Sequence, residues 1–375
     1  MREIDGSYGE GGGQLLRTAV ALSAITGEAV HVRNIRANRT NPGLAPQHLT
    51  AVMAVAGLCG AETEGVEVKS REILFRPGRV RGGRFDFSVG TAGSITLVLQ
   101  AALPVAVASG ESLWLRVTGG TDIRAAPPLD YLRHVLLPLL SRMGVRARIE
   151  VLQRGYYPRG GGEVAVEVLP SVPLRPLMLD APGDLAEIRG YAHIANLPDH
   201  IVQRMVSSAL AELSAFPAPS IDQAVLGADV AIGAGGAIVL AARMAHTVLG
   251  ASATAQRGVP AELLGAEAGR LLREEISSGA SLDIHAADQV LIYLALCAGP
   301  SCFLARKLSS HALTTIWLLE QFLPVRFSII ETGSLVRVEV MPQLRQHPLQ
   351  QAGHLENGYR NRQDAKDAKK RRRKG

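Results

Sequence analysis

The chain has 375 residues, which is enough for two or three domains with a large buried core. Apolar residues make up 47% and charged residues 20%, as is typical of a soluble globular protein. The net charge of +6 is concentrated at the end of the chain: residues 360–375 hold nine Lys or Arg and two Asp, which leaves 31 basic and 32 acidic side chains in 1–359, a net charge of −1. A broadly basic nucleic-acid-binding body is therefore excluded.

Residues 343–375, here called the basic tail, are predicted to be disordered. Between 360 and 374 the only apolar residues are alanines. Two interpretations stay open: a solvated extension with no part in the core reaction, or a segment that adds salt-sensitive, sequence-independent affinity for RNA or DNA.

The cysteines and the apolar runs exclude other classes. Cys59, Cys297 and Cys302 form no Cys-x-x-Cys pair, which argues against a zinc site or a disulfide framework. The N-terminus is charged at positions 2, 3 and 5, unlike a secretory signal, and the longest apolar run, 97–108, is too short to span a bilayer. We expect a cytoplasmic protein that does not associate with membranes.

The first structural signal is the glycine-rich segment 9–14, GEGGGQ, which leads into an apolar stretch. Consecutive glycines leave main-chain N–H groups uncovered, and a helix that begins there adds its positive end, so the junction suits an anion such as phosphate. Gln14 breaks the dinucleotide-binding spacing, and no Walker lysine follows. A tight turn made only for close packing is the alternative.

From this segment onward the predicted elements follow a repeating order. The first unit is predicted to contain helix 14–26, strand 30–35, helix 46–58 and strands 63–69 and 72–76. The second is predicted to contain a glycine turn at 90–94, a helix to 108, strand 113–118, helix 128–143 and strands 146–152 and 163–169. The third is predicted to contain helix 285–297, strand 301–306, helix 309–322 and strands 325–331 and 334–340. Each unit is βαβαββ, and three units packed together bury the faces that one leaves exposed.

An insertion separates the second and third units, from about 187 to about 279. It is predicted to contain helices 200–213 and 260–276 and strand-like segments 229–232 and 237–241. The glycines at 233–236 are interpreted as a hairpin turn and not as a phosphate loop. The pattern predicts a small α/β domain.

The turns before the second helix of each unit are polar. If equivalent turns face one cleft, Arg36 and Arg39 of the first unit, Asp122 of the second and His311 of the third converge there. Two arginines suit a phosphate-bearing substrate, because each guanidinium can donate two parallel hydrogen bonds. The alternative for His311 is a capping residue at the start of its helix.

Together these motifs resemble the RNA 3′-terminal phosphate cyclases over residues 1–342. The matching motifs are DGS at 5–7, GEGGGQ at 9–14, NIRA at 34–37, PGL at 42–44, QHL at 47–49, FRPG at 75–78, GGTD at 119–122, YYP at 156–158, GGG at 160–162, HAADQ at 285–289, and His311. The resemblance implies an α/β (α+β) fold of three repeats like the C-terminal domain of bacterial translation initiation factor 3, within the superfamily that includes the enolpyruvyl transferases. It also implies a thioredoxin-like insertion. The domains are then 1–184 with 280–342, and 185–279.

The resemblance implies ATP-dependent conversion of an RNA 3′-terminal phosphate to a 2′,3′-cyclic phosphate. In this family a histidine at the position of His311 attacks the α-phosphorus of ATP and becomes adenylylated. The AMP passes to the RNA 3′-phosphate, giving RNA(3′)pp(5′)A, and the 2′-hydroxyl then expels it. The implied partner is RNA with a 3′-terminal phosphate, and no obligate protein partner is expected.

Roles for further residues follow from the same resemblance. The residues expected to hold the nucleotide are Gln100, Pro127, His285, Ala286, Ala287, Asp288 and Gln289, with His285 and Pro127 on either side of the adenine. The residues expected to hold the RNA phosphate are Arg17, Arg36, Arg39, Gln47 and His48. Glu10 is the candidate ligand for Mg²⁺ or Mn²⁺, since a hard cation needs oxygen ligands.

Two other functions remain as alternatives. One is a non-catalytic, cyclase-like RNA-binding protein of ribosome biogenesis, a class that lacks the catalytic histidine. The other is an enolpyruvyl transferase, which needs no adenylylated histidine.

Overall fold

The structure is a computed structural model that describes residues 1–343, so the predicted basic tail lies, apart from Gln343, outside the described residues. The described chain is a mixed α/β protein with four sheets. Between residues 1 and 343, none of the helices has both the length and the apolar character needed to cross a bilayer.

The first repeat combines two helices with a four-stranded sheet. Its elements are β1 (Arg2–Asp5), α1 (Gly13–Thr26), β2 (Val30–Arg33), α2 (Pro46–Cys59), β3 (Glu62–Glu64) and β4 (Ile73–Arg76). Gly27 ends α1 with a φ of 73°, a left-handed conformation that glycine adopts without a Cβ clash. The predicted strand 63–69 is wrong beyond Glu64, because Gly65 has a φ of 70° and turns the chain.

The second repeat has the same composition with a modified second helix. Its elements are β5 (Gly83–Ser88), α3 (Ile95–Ser109), β6 (Leu113–Gly119), α4 (Leu129–Tyr131), a π-helical turn (Leu132–Leu136), α5 (Leu137–Arg142), β7 (Arg146–Gly155) and β8 (Gly162–Leu169). Ser94 caps α3 by accepting a hydrogen bond from the Leu97 N–H. The uninterrupted helix predicted over 128–143 is thus corrected to two α-helical segments around a π turn. Pro138 lies just after that turn and has no N–H to continue an α-helical pattern.

The insertion follows β9 (Met178–Leu179) and has its own sheet and core. Its elements are β10 (Leu185–Ala195), α6 (His200–Glu212), β11 (Ser220–Leu226), β12 (Ala231–Ile232), β13 (Gly235–Met244), β14 (Val248–Thr254) and α7 (Ala261–Ser278). The sheet order is β11-β10-β13-β14, and a separate apolar cluster fills the space beneath it.

Two predictions in this region are wrong. The strand predicted over 229–232 is reduced to β12, which pairs with β7 of the second repeat instead of joining the insertion's sheet. The segment 233–236 is therefore no hairpin turn, because it links β12 in one sheet to β13 in another.

The third repeat resumes after the insertion. Its remaining elements are α8 (Ile284–Ala295), β15 (Ser301–Ala305), α9 (Ser310–Phe322), β16 (Val325–Thr332) and β17 (Leu335–Pro342). Asp283 caps α8, and Ser309 caps α9.

The sheets of the three repeats share one strand order. The orders are β1-β2-β4-β3, β5-β6-β8-β7 and β9-β15-β17-β16, and β12 extends the second sheet. In each, the first pair is parallel and the other two are antiparallel. A single apolar core joins the repeats, with α1 packed against α3 and α9, and α8 against α9. This packing brings the N-terminal turns of helices from different repeats together.

Candidate functional site

A cavity of about 750 Å³ lies where these helix ends meet. Its lining includes residues from the first turns of α1, α2, α8 and α9, together with one wall from α3 and α4 and another from the insertion. Helix N-terminal turns carry unpaired N–H groups and the positive end of the helix dipole. The cavity is therefore suited to an anionic ligand.

His311 is the second residue of α9 and lines the cavity with its side chain 43% exposed. Its Nδ1 lies 2.7 Å from the Glu10 carboxylate. Partial burial is the main cause that lowers the pKa of His311, against an opposing effect of Asp288, and this favours the neutral imidazole. A carboxylate can only accept, so Nδ1 carries the proton and Nε2 keeps a free lone pair.

The start of α9 is fixed by polar contacts to α8. The Ser309 hydroxyl accepts from the Ala312 N–H at 3.0 Å and donates to the Asp288 carboxylate at 2.7 Å. Gln14 of α1 adds a contact, because its amide donates to the main-chain oxygen of His311 at 3.3 Å. The position of the imidazole thus depends on residues from three helices.

Glu10 lies in the glycine-rich turn and contacts several groups at once. Its carboxylate pairs with the Arg39 guanidinium and accepts from the Ser310 hydroxyl at 3.3 Å, in addition to its contact with His311. Gly11 closes the turn by donating to the Tyr8 carbonyl at 3.0 Å, with a φ of 59°.

The glycines of this turn also make room for basic side chains. A Cβ on Gly12 would lie 3.0 Å from the Arg39 guanidinium, and one on Gly13 would lie 1.9 Å from His48 Nε2. Arg39 and His48 can therefore approach the start of α1 only because these positions are glycine. Close packing, one of the two alternatives that the sequence left open, is therefore a feature of this turn, and the anion site stays a prediction.

Arg17 is a buried cation on the cavity wall. Its residue is 7% exposed, and it donates one hydrogen bond, to the Gln100 side-chain oxygen at 3.3 Å. Within residues 1–343, no carboxylate forms an ion pair with it, and its Nε has no acceptor. Burial lowers the pKa of Arg17 to about 10, so it remains charged at pH 7.

Three neighbouring predicted residues also line the cavity: Arg36, Gln47 and His48. The Arg36 guanidinium donates to the main-chain oxygens of Asn41 and Gly43 at 2.7 and 2.9 Å. His48 is 5% exposed, and burial together with the charge of Arg17 lowers its pKa to about 3, so this imidazole is neutral.

Five of the seven predicted nucleotide-binding residues line the same cavity. Gln100 of α3 donates to the Gln289 side-chain oxygen at 3.2 Å, and Gln289 donates to the main-chain oxygen of His285 at 3.1 Å. The residues of this group that line the cavity are Gln100, Pro127, His285, Asp288 and Gln289. Burial raises the pKa of Asp288.

Two residues of that predicted group lie elsewhere. Ala286 and Ala287 are fully buried in the apolar core and do not line the cavity. They are on the side of α8 that packs inward, so their small size serves helix packing.

Asp122 does not converge with His311, contrary to the expectation from the equivalent turns. It is 5% exposed and pairs with the Arg154 guanidinium at 3.0 Å, away from the cavity lining. Arg154 also pairs with Asp130 at 2.6 Å, and the His193 ring lies within 3.6 Å of both carboxylates. This cluster joins the second repeat to β10.

No motif in the sequence indicated the wall that the insertion supplies. Thr254 and Gln256 at the end of β14 and Glu267 of α7 line the cavity. Tyr131 lines it too, with its ring edge-on to that of His285 at 6.2 Å between centroids. The positions of Thr254, Gln256 and Glu267 depend on how the insertion packs against the repeats, and no short sequence motif encodes that packing.

Glu10 is the acidic residue available for a metal ion beside His311. Residues 1–343 contain no group of three or more His, Cys, Asp or Glu side chains placed to hold a metal. Mg²⁺ is often held by one or two carboxylates while phosphates and water complete its coordination. A single carboxylate in a cavity suited to an anionic ligand fits that pattern.

Comparison with known proteins gives a consistent result. The model of the family described as RNA 3′-terminal phosphate cyclase matches residues 8–329. A protein of that name from Nitrosospira multiformis is 68% identical over 343 residues, covering 92% of this chain and 97% of the relative. Proteins of the same name from Methanopyrus kandleri and Pyrococcus furiosus are 45% and 42% identical, covering 91% and 87% of this chain and 99% and 94% of the relatives.

Proposed function

The chain belongs to the RNA 3′-terminal phosphate cyclase family, and we propose that it converts RNA 3′-terminal phosphates to 2′,3′-cyclic phosphates with ATP. The observation that carries the proposal is the pairing of His311 with Glu10 in a cavity that also holds the unpaired cation of Arg17. A nucleophile and a phosphate-binding group thus share one site.

In the first step, the Nε2 lone pair of His311 attacks the α-phosphorus of ATP. The new nitrogen–phosphorus bond forms as the bond from that phosphorus to the bridging oxygen breaks and pyrophosphate leaves. The Glu10 carboxylate, 2.7 Å from Nδ1, stabilises the positive charge that develops on the ring. Gln100, Asp288 and Gln289 position the nucleotide, with its adenine between His285 and Pro127.

In the second step, an oxygen of the RNA 3′-phosphate attacks the adenylyl phosphorus, and the bond to His311 breaks. The adjacent 2′-hydroxyl then attacks the 3′-phosphorus, and AMP leaves with the bridging oxygen. Activation is needed because an unactivated phosphate has only a poor oxide leaving group. Arg17, Arg36, Arg39, Gln47 and His48 hold the RNA phosphate in the required position.

Glu10 would supply a carboxylate oxygen to a divalent Mg²⁺ or Mn²⁺ ion, which would neutralise charge on the triphosphate. In the absence of that ion, Glu10 orients His311 and holds Arg39.

We extend the proposal to the architecture. The common strand order supports assigning the three repeats to the superfamily of initiation factor 3 C-terminal domains and enolpyruvyl transferases. The separate apolar cluster beneath β10, β13 and β14 supports treating 185–279 as an inserted domain of thioredoxin-like fold.

Covalent labelling tests the mechanism. The protein is incubated with ATP labelled at the α-phosphate and a divalent metal, then denatured and separated by electrophoresis. We expect an acid-labile, alkali-stable label that is absent from His311→Ala and retained by His246→Ala, whose imidazole is exposed and outside the cavity. Wild-type protein that takes up no label at any pH or with either metal would refute the mechanism and favour a non-catalytic RNA-binding protein.

A further inference from the structure

An aromatic pair lies beside the cavity and has no part in the steps above. The rings of Tyr8 and Trp317 are stacked with 3.9 Å between centroids and 16° between planes, and Tyr8 is 43% exposed. We propose that the exposed face of Tyr8 stacks on a base within the last three nucleotides of the RNA. This inference rests on the proposed function and adds a base-binding platform to its site.

The pair is attached to the two elements that hold the reacting groups. The Tyr8 carbonyl accepts from Gly11 to close the turn that presents Glu10. Trp317 is on α9, six residues after His311, so its Cα lies about 9 Å farther along the helix axis. At about 3.6 residues per turn Trp317 lies about 120° around α9 from His311, and its ring meets Tyr8 on that side of the helix.

The turn and the helix are packed directly together at this point. A Cβ on Gly9 would lie 2.4 Å from the Thr314 hydroxyl oxygen, so the turn approaches α9 closely between the aromatic pair and His311. The Ser310 hydroxyl donates to Glu10 at 3.3 Å on the same side of the helix. The turn that presents Glu10 and the helix that carries His311 are therefore packed together next to the aromatic pair.

A single-stranded nucleic acid is the ligand that fits this arrangement. Proteins bind such strands with cations along the backbone and aromatic rings on which successive bases stack. Here Arg17 inside the cavity is placed for the terminal phosphate, and the half-exposed Arg39 is next to the turn that carries Tyr8. Trp317 covers one face of the Tyr8 ring. Since Tyr8 is 43% exposed, the ring keeps accessible surface on which a base can stack.

The platform is tested with Tyr8→Ala, Tyr8→Phe and short RNAs that end in a 3′-phosphate. Stacking of one base is typically worth about 1–3 kcal/mol, so Tyr8→Ala should raise KM for a ten-nucleotide RNA by roughly five- to hundredfold, and Tyr8→Phe should restore it. Tyr157→Ala is the matched control, because Tyr157 is 77% exposed and outside the cavity lining. Rates are normalised to the fraction of each protein that labels with ATP. A wild-type protein that takes up no label would contradict the proposed function, whereas labelling with an unchanged KM for RNA would contradict only this inference.

A second substrate series identifies the base. RNAs with one abasic nucleotide at each of the last three positions are compared with the intact strand. At one position the missing base should raise KM for the wild-type protein and leave KM for Tyr8→Ala unchanged. If Tyr8→Ala labels with ATP and its KM for intact RNA equals that of the wild type, the inference is wrong and the pair serves packing alone. Equal sensitivity of both proteins to every abasic position would overturn it as well.

Discussion

Replacing Arg17 with methionine should stabilise the protein in the absence of phosphate and remove much of its response to phosphate. Arg17 is 7% exposed and has no carboxylate partner among residues 1–343. A buried charge without a counter-ion is unfavourable, whereas an apolar side chain of similar length is not. We therefore expect Arg17→Met to have a higher free energy of unfolding and a lower affinity for phosphate than the wild type.

The magnitude follows from the effect of burial on Arg17. Burial lowers its pKa to about 10, which corresponds to about 3 kcal/mol of unfavourable free energy for the charged form in the folded state. Because the folded pKa is the lower one, this penalty is present in full at pH 7 and is relieved only as the pH rises through about 10. Loss of the hydrogen bond to Gln100 offsets part of the gain, so we expect Arg17→Met to be more stable by about 1–3 kcal/mol.

Urea unfolding with and without inorganic phosphate measures both effects. A ligand that binds only the folded state adds about 2.7 kcal/mol at one hundred times its Kd. We expect a phosphate-dependent gain of this kind in the wild type and in Arg17→Lys, and a much smaller gain in Arg17→Met. The reasoning is refuted if Arg17→Met is less stable than the wild type without phosphate, or if phosphate stabilises the two proteins equally.

Three further substitutions test other parts of the structure. Arg154→Met should lower the free energy of unfolding by about 3–5 kcal/mol at pH 7, because it removes the buried guanidinium that pairs with Asp122 and Asp130. The Arg154 guanidinium keeps the pKa of Asp122 well below its usual range, so the pKa of this buried carboxyl should rise in Arg154→Met. The folded variant then takes up a proton as the pH falls, and its loss of stability should be smaller at pH 5 than at pH 7.5. An equal loss of stability at the two pH values would contradict this. Asp283→Ala removes the cap of α8 and also the hydrogen bonds that this buried carboxylate accepts from the Tyr131 hydroxyl and the Gly250 N–H, so it should cost about 2–4 kcal/mol in the same urea assay; an unchanged free energy of unfolding would speak against these contacts. Glu10→Gln should slow ATP labelling of His311 on the order of a hundredfold, because an amide no longer fixes the tautomer; labelling at the wild-type rate would exclude that role.

Local patterns predicted many of the elements with boundaries close to those observed. Helix α1 was predicted over 14–26 and extends over Gly13–Thr26, because an apolar run ends at a glycine that can adopt a left-handed conformation. Strand β10 was not predicted. Its central Gly190 lowers strand propensity, yet a Cβ there would lie 2.7 Å from both Ile221 and Leu240, so the sheet requires glycine at that position. Such a requirement is visible only once the neighbouring strands are placed.

The site could be anticipated in its residues but not in its contacts. The resemblance identified His311 and Glu10, whose side chains meet at 2.7 Å although they are 301 positions apart in the chain. The polar turns suggested that Asp122 faces the same cleft, but Arg154 provides a buried partner for it elsewhere. The spacing of charged residues along the chain does not reveal which basic side chain a carboxylate contacts in the folded protein. The catalytic and binding roles stay predictions until the labelling experiments are done.

The charges of the site favour the end of an RNA strand over its interior. Residues 1–359 carry a net charge of −1, so attraction to RNA must arise locally and not from the body as a whole. Among the arginines that line the cavity, Arg39 is paired with Glu10, Arg36 donates to main-chain oxygens and Arg124 is exposed, whereas Arg17 is buried and has no carboxylate partner among the described residues. A terminal phosphate carries about −1.5 to −2 charge at pH 7, whereas an internal phosphodiester carries one charge. A desolvated guanidinium with no carboxylate partner among the described residues gains most from the more highly charged group, so we expect the site to favour an RNA that ends in a phosphate.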